Sequence, residues 1–160
     1  MTLKLDDNFC DLLAALQARN VRYLIIGGWA VSVHAQPRAT MDLDIFVSAE
    51  EGNLESLFES LLRFGAPLEN MDRSHFLQPG TFFRMGAPPC QVDIFREIPG
   101  VRFEACWPNR VEVPLAEVQA LTAKFISAED LIAAKVASGR EQDLADAQAI
   151  RRAQQQRPKP

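Results

Sequence analysis

The apolar run Tyr23-Leu-Ile-Ile26 ends abruptly in Gly27-Gly28, and thirteen residues separate Gly28 from Asp42 in the stretch Met41-Asp-Leu-Asp-Ile-Phe-Val47. This arrangement restricts the fold more than any other feature of the chain. A strand over residues 21–26 must turn directly into a short helix over residues 28–35. The glycines tolerate the tight turn, and Pro37 disfavours helix at the residue before it. A second strand over 41–47 follows. Successive strand side chains alternate between faces, so Asp42 and Asp44 share one face about 7 Å apart, while Met41, Leu43 and Ile45 point to a core on the other. Two carboxylates converging near a glycine turn at a helix start are suited to holding Mg2+ against a phosphate chain.

Composition sets outer limits. A chain of 160 residues with 48% hydrophobic and 24% charged residues suits a globular domain able to bury a core. Residues 1–153 are read as one domain and 154–160 as a polar tail. The net charge of -4 argues against autonomous DNA binding, which needs a basic face. The longest apolar stretch, 23–33, is too short to span a bilayer, and the N-terminal sequence lacks the apolar segment of a signal peptide. Cys10, Cys90 and Cys106 are odd in number and form no CxxC pair, which points to a reducing cytoplasm rather than a disulfide framework. With only His34 and His75 beside them, they supply no structural zinc ligand set.

A helix is expected over 6–19, where Phe9, Leu12, Leu13 and Leu16 recur at helical spacing. Ser48-Ala-Glu-Glu51 has the form of a capping box before a second amphipathic helix, closed by Gly65. Residues 66–80, rich in Pro, Asn, Asp and Gly, read as a loop, and residues 97–109 as irregular. Short strands are expected over 81–85 and 90–95, antiparallel about Gly86-Ala-Pro-Pro89, and further ones over 110–113 and 122–126. Ser127-Ala-Glu-Asp130 opens a helix ending near Gly139, and 143–152 forms the last helix. The fold class is α/β (α+β): a small mixed, twisted sheet flanked by helices.

Asp93, in Gln91-Val-Asp-Ile-Phe95, is the third carboxylate, with Val92 and Ile94 on the opposite, core-facing side. If its strand lies beside 41–47, three carboxylates meet on one surface, enough for two Mg2+ ions about 4 Å apart. Gly27, Gly28, Asp42, Asp44 and Asp93, in this order and spacing, resemble the nucleotidyltransferase superfamily that includes DNA polymerase beta, specifically its minimal bacterial and archaeal members. Gly27-Gly-Trp-Ala-Val31, Pro37-Arg-Ala-Thr-Met-Asp-Leu-Asp44 and Lys135-Val-Ala-Ser-Gly-Arg-Glu-Gln-Asp-Leu-Ala-Asp146 are similar to a subgroup near the abortive-infection and toxin–antitoxin nucleotidyltransferases. The resemblance covers residues 20–150.

That resemblance implies the nucleotidyltransferase fold, with the strand of Asp93 beside the strand of Asp42 and Asp44. It also implies transfer of a nucleoside monophosphate from an NTP to an acceptor hydroxyl on RNA, protein or a small molecule, with release of pyrophosphate. Asp42, Asp44 and Asp93 would ligate two Mg2+ ions, and Asp93 would also receive the acceptor's proton. Gly27 and Gly28 would let backbone N–H groups approach the phosphates. Arg38 and Thr40 would contact the triphosphate; the alternative is a surface arginine and a β-prone threonine. Lys135 would bind phosphate, or else snorkel from its helix beside Leu131 and Ile132. Arg140, Asp143 and Asp146 form an i, i+3, i+6 charged set and read as helix-surface ion pairing. His34 reads as a helix-end residue, Trp29 as core, and Arg73 with His75 as solvated loop residues.

Two departures from the pattern bear on activity. Many active members carry Ser where this chain has Gly28, and only two helices follow the sheet where larger members have a C-terminal substrate domain. Three further functions therefore stand beside transfer. One is an antitoxin-like or regulatory module acting through a protein partner. Another is an antibiotic-modifying enzyme, since lincosamide- and aminoglycoside-modifying relatives share a Gly-Gly-Trp start. The last is a pseudoenzyme that binds nucleotide only.

Overall fold

The computed structural model describes residues 2–80, 82–116 and 118–159, with the side chains of all of them except Phe76, Leu77 and Phe82. Helix α1 (Asp7–Ala18) leads into strand β1 (Tyr23–Ile26), helix α2 (Gly27–His34), strand β2 (Leu43–Val47) and helix α3 (Glu51–Phe64). Helix α4 (Arg73–Leu77), strands β3 (Phe82–Met85) and β4 (Val92–Phe95) and the short helix α5 (Phe103–Cys106) come next. A 3-10 turn (Trp107–Asn109), strands β5 (Val111–Pro114) and β6 (Thr122–Phe125), and helices α6 (Ala128–Ser138) and α7 (Glu141–Gln156) complete the order. The described strands form one six-stranded sheet in the order β3-β4-β2-β1-β6-β5. β1 runs antiparallel to β2 and parallel to β6, β2 runs parallel to β4, and the β3–β4 and β5–β6 pairs are antiparallel. The sheet is therefore mixed and flanked by helices, as expected. Among the described residues no helix is long and apolar enough to cross a membrane.

β1 lies inside the sheet because Tyr23, Leu24, Ile25 and Ile26 are all buried, so both faces of the strand need cover. β5 takes an edge, where Pro114, which lacks a backbone N–H, is tolerated. Helices α1 and α3 pack together and bring Leu12, Leu13, Leu16, Leu54, Leu57 and Leu61 into the core. Each such leucine contributes about 1.5–3 kcal/mol by leaving water. Gly65 and Gly139 end α3 and α6 in the left-handed region, at φ 91° and 70°.

Several local expectations are corrected. Met41 is 62% exposed rather than in the core, because β2 begins only at Leu43 and residues 36–42 leave the sheet. Ser48 does not cap α3. Its buried hydroxyl accepts from Arg22 Nη2 (2.9 Å) and donates to Glu104 Oε1 (2.8 Å), while Glu50 stands at the cap position without a side-chain capping bond, its carboxylate paired instead with Arg22 (2.7 Å). An ion pair in a half-buried setting has outcompeted the local motif. Within 66–80, residues 73–77 are helical, and the Asp72 carboxylate caps them by accepting from the His75 N–H (3.2 Å). Residues 103–109 are helical as well, with Phe103 buried and stacked on Trp107 at 5.6 Å between ring centroids. α7 extends to Gln156, into the segment expected to be a tail. Thr81, expected to open β3, lies outside the described residues, as do Met1, Glu117 and Pro160 of the segments 1–153 and 154–160.

Candidate active site

The site is built on one row across the sheet. Asp44 on β2 pairs in register with Ile26 of β1 on one side and Asp93 of β4 on the other, and Asp93 pairs with Arg84 of β3. Directly paired residues of neighbouring strands point to the same face. Asp44, Asp93 and Arg84 therefore share a face, with the Gly27 turn at the β1 end. Gly27 has φ 67°, and a Cβ there would lie 2.2 Å from Asp44 Oδ2. The residue is glycine both for its backbone conformation and because the carboxylate fills the space of a side chain.

Gly28 has a different reason. A Cβ at this position would stand 2.8 Å from Thr40 Cγ2 and 3.0 Å from Thr40 Oγ1. Thr40 thus occupies the place that a serine at residue 28 would claim, and its hydroxyl, which donates to the Arg38 carbonyl (3.3 Å), stands beside the turn. Restoring the family's serine alone is expected to harm the protein. Gly28→Ser should cost about 1–3 kcal/mol by overpacking, read by thermal melting, and Gly28→Ser/Thr40→Ala should recover most of that loss. Equal stability of Gly28→Ser and the native chain would refute the packing argument.

Asp42 precedes β2 and is half-buried, and its Oδ1 is buried without a hydrogen-bond partner among the described residues. The Asp44 carboxyl is pushed up to about 6, first by burial, then by the charges of Asp93 and Asp42; Lys135 and Arg84 pull it the other way. Close, mutually repelling carboxylates are hard oxygen donors of the kind that suit a divalent cation, so Asp42 and Asp44 fit Mg2+. Asp93 is not available to it as it stands, since Arg84 binds both of its oxygens. Among the described residues no three His, Cys, Asp or Glu side chains are drawn close enough to hold a metal.

A cavity of about 480 Å³ opens on the Gly27 side of the row. Gly27, Gly28 and Asp44 line it together with Arg38, Lys135, Arg140, Asp143 and Asp146. A larger groove, about 780 Å³, lies against α1 and α3, but none of the carboxylates of the row lines it. Lys135 is anchored rather than snorkelling: its Nζ donates to Asp143 Oδ1 (3.1 Å) and Asp146 Oδ2 (2.9 Å), with 13% of the side chain exposed. Arg38 Nη1 donates to Asp146 Oδ1 (2.6 Å) and Arg140 Nε to Asp143 Oδ2 (2.7 Å). Burial works to raise the pKa of both aspartates. Hydrogen bonds from Arg140, Ser138 and Lys135 to Asp143, and from Lys135 and Gln142 to Asp146, outweigh it and hold both below the usual carboxylate range.

Asp143 and Asp146 are the cavity residues that the sequence analysis misplaced. Both are buried, so their pairing is not at a helix surface. The overlooked signal is their position: Asp143, Asp146, Ala147 and Ile150 form the buried stripe of α7 at i, i+3, i+4 and i+7. A carboxylate on such a stripe needs a cation from elsewhere in the fold. Three other residues are kept out of the chemistry. His34 is buried and donates through Nε2 to the Ile126 carbonyl (2.7 Å), and burial pushes its imidazole down. Trp29 packs against the core. Arg73 pairs with Glu59 on α3.

The same fold recurs in solved structures. The lincosamide antibiotic adenylyltransferase LnuA, lincomycin-bound, superposes with a TM-score of 0.57 at 18% identity, covering 92% of this chain and 97% of that one. An antigenic nucleotidyltransferase-like protein from Paracoccidioides brasiliensis gives a TM-score of 0.51 at 18% identity, covering 94% and 78%. No curated protein sequence matches significantly. The sequence profile of the family described as "Nucleotidyltransferase of unknown function (DUF6036)" matches residues 3–154. Since that match takes in the glycine turn, the whole carboxylate row and the lysine of the cavity, the chain belongs to this nucleotidyltransferase family.

Proposed function

We propose that the chain transfers a nucleoside monophosphate from an NTP to an acceptor hydroxyl, releasing pyrophosphate. The observation that carries this reading is the direct register pairing of Asp44 with Asp93 beside the Gly27 turn and its cavity. The triphosphate lies between the N–H groups at the start of α2 and the ammonium of Lys135, with Arg38 and Thr40 closing the side next to Gly28. The acceptor enters from the Asp93 side, because the nucleotide fills the Gly27 side. Its oxygen attacks the α-phosphorus, and the bond from that phosphorus to the oxygen bridging to the β-phosphorus breaks. Pyrophosphate leaves with the electron pair, and the hydroxyl proton passes to the Asp93 carboxylate. Two Mg2+ ions, held by Asp42, Asp44 and Asp93, would neutralise phosphate charge and favour the ionised acceptor oxygen. A cytoplasmic setting, which keeps thiols reduced, suits the three cysteines.

The fold shared along nearly the whole lincosamide enzyme keeps a small antibiotic among the acceptors, beside RNA and protein. The first test is thermal stabilisation by each NTP with and without Mg2+. One NTP should stabilise the native chain only with Mg2+, and Asp42→Asn/Asp44→Asn should lose the shift. No shift with any NTP, from a chain that melts cooperatively, would replace this reading with a regulatory binding module.

A further inference from the structure

The ion pair on Asp93 asks for an explanation beyond packing. Arg84 Nε lies 2.8 Å from Asp93 Oδ1 and Nη2 lies 3.2 Å from Oδ2, a two-pronged hold on the carboxylate. Gln91 Nε2 adds a longer contact to Oδ2 (3.4 Å). The Asp93 side chain is 9% exposed and that of Arg84 56%, so the guanidinium covers the carboxylate from the solvent side. A metal ion needs the same oxygen lone pairs. Asp42, by contrast, keeps a buried oxygen without a partner among the described residues. The row therefore holds two carboxylates ready for a cation and one that already has it.

Position supplies the second half of the argument. Arg84 stands on β3, at the sheet edge and at the end of the row farthest from Gly27. The cavity is lined by Gly27 and Asp44 but by neither Asp93 nor Arg84. On the transfer reading, in which the acceptor enters from the Asp93 side, the guanidinium sits in its path. Resting on the transfer reading above, we propose that Arg84 is a latch and an acceptor-recognition residue. It occupies Asp93 until an acceptor bearing an oxyanion draws it away, which frees Asp93 for the metal. A displaced guanidinium is matched by two oxygens of a phosphodiester or carboxylate, in the geometry it already makes with Asp93. The acceptor class is one that carries such an oxyanion beside its hydroxyl, and a polycationic acceptor is disfavoured by repulsion. The device also keeps water from consuming the NTP before an acceptor arrives.

Binding of Mn2+ to the full chain, with an ATP analogue carrying a methylene between the α- and β-phosphates, reads the row without turnover. The protein is titrated into the Mn2+–analogue complex and followed by electron paramagnetic resonance. Arg84→Gln should bind the complex roughly three- to fivefold tighter than the native chain, the range that a half-exposed ion pair supports. Arg84→Lys keeps the charge but loses the two-pronged hold, and should also bind tighter than the native chain; it carries the test if Arg84→Gln fails to fold. At constant ionic strength, dimethyl phosphate (a phosphodiester) or acetate (a carboxylate) should tighten binding to the native chain and not to Arg84→Gln, and the more effective anion names the source. Equal binding by native and variant chains, or an anion effect that survives in Arg84→Gln, would overturn the latch and leave the transfer reading standing. No binding of the complex to any of these chains, all melting cooperatively, would remove the transfer reading and the latch with it.

Discussion

At pH 7, Asp44→Asn is expected to melt about 2–6 °C above the native chain, while losing Mg2+-dependent nucleotide stabilisation and about 100-fold or more of any transfer activity. The stabilisation follows from the pKa of Asp44, raised from 3.8 to about 6, first by burial and then by Asp93 and Asp42. A raised carboxyl pKa favours the fold while the group is protonated. That contribution is fully present below pH 3.8 and is lost as pH rises through about 6. At pH 7 the native chain carries the full burden of the ionised group. One pKa unit corresponds to about 1.4 kcal/mol, and discounting for solvent screening of a half-buried site leaves about 1–2 kcal/mol. Thermal melts from pH 4 to pH 8, without metal or nucleotide, should show the native and Asp44→Asn curves close together near pH 4, drawing apart between pH 4 and about 6, and holding a constant gap above that. A variant that melts lower at pH 7, or curves parallel throughout, would remove the electrostatic argument. Opposite signs for stability and activity mark a site whose charges serve a ligand rather than the fold.

Lys135→Met should cost about 2–4 kcal/mol in urea denaturation, far more than the loss of a surface lysine. It leaves the buried carboxylates of Asp143 and Asp146 with Arg140, Arg38 and Gln142 but without their shared ammonium. In an Asp143→Asn/Asp146→Asn background the same substitution should cost less than about 1 kcal/mol, because no uncompensated charge remains. On the proposed reading, in which Lys135 meets the phosphates, the nucleotide-dependent thermal shift should stay weak in both backgrounds. If Lys135→Met costs nothing in the native background, the lysine snorkels from its helix rather than anchoring the two aspartates. If stability and nucleotide binding both return in the triple variant, the lysine positions α7 and does not touch phosphate.

The glycine turn, the alternating carboxylates and the third carboxylate were legible because each rests on local rules. Strand alternation and glycine geometry operate over a few residues, and they placed β1, α2, β2, β3 and β4 nearly correctly. Local signals failed where a distant partner intervened. Ser48 carries a capping pattern, yet its hydroxyl serves Arg22 and Glu104, more than 20 residues from it on one side and more than 50 on the other. Met41 fits a strand alternation, but the chain leaves the sheet before Leu43 to carry Arg38 and Thr40 over the turn. Asp143 and Asp146 look like surface charges until Lys135 and Arg38 are brought to them.

What the sequence by itself determined is the acidic pattern and the turn beside it, since period, spacing and the demand for glycine at Gly27 are properties of short segments. Beyond the antiparallel pair over 81–95, it could not tell which strands would be neighbours. The order that seats Asp93 beside Asp44, and Lys135 beside the cavity, arises from burying both faces of β1 and β2 at once. That condition joins residues about 50 to 100 positions apart and is met only by the assembled sheet. The carboxylates are written in the chain, and the cations that neutralise them are supplied by the tertiary fold.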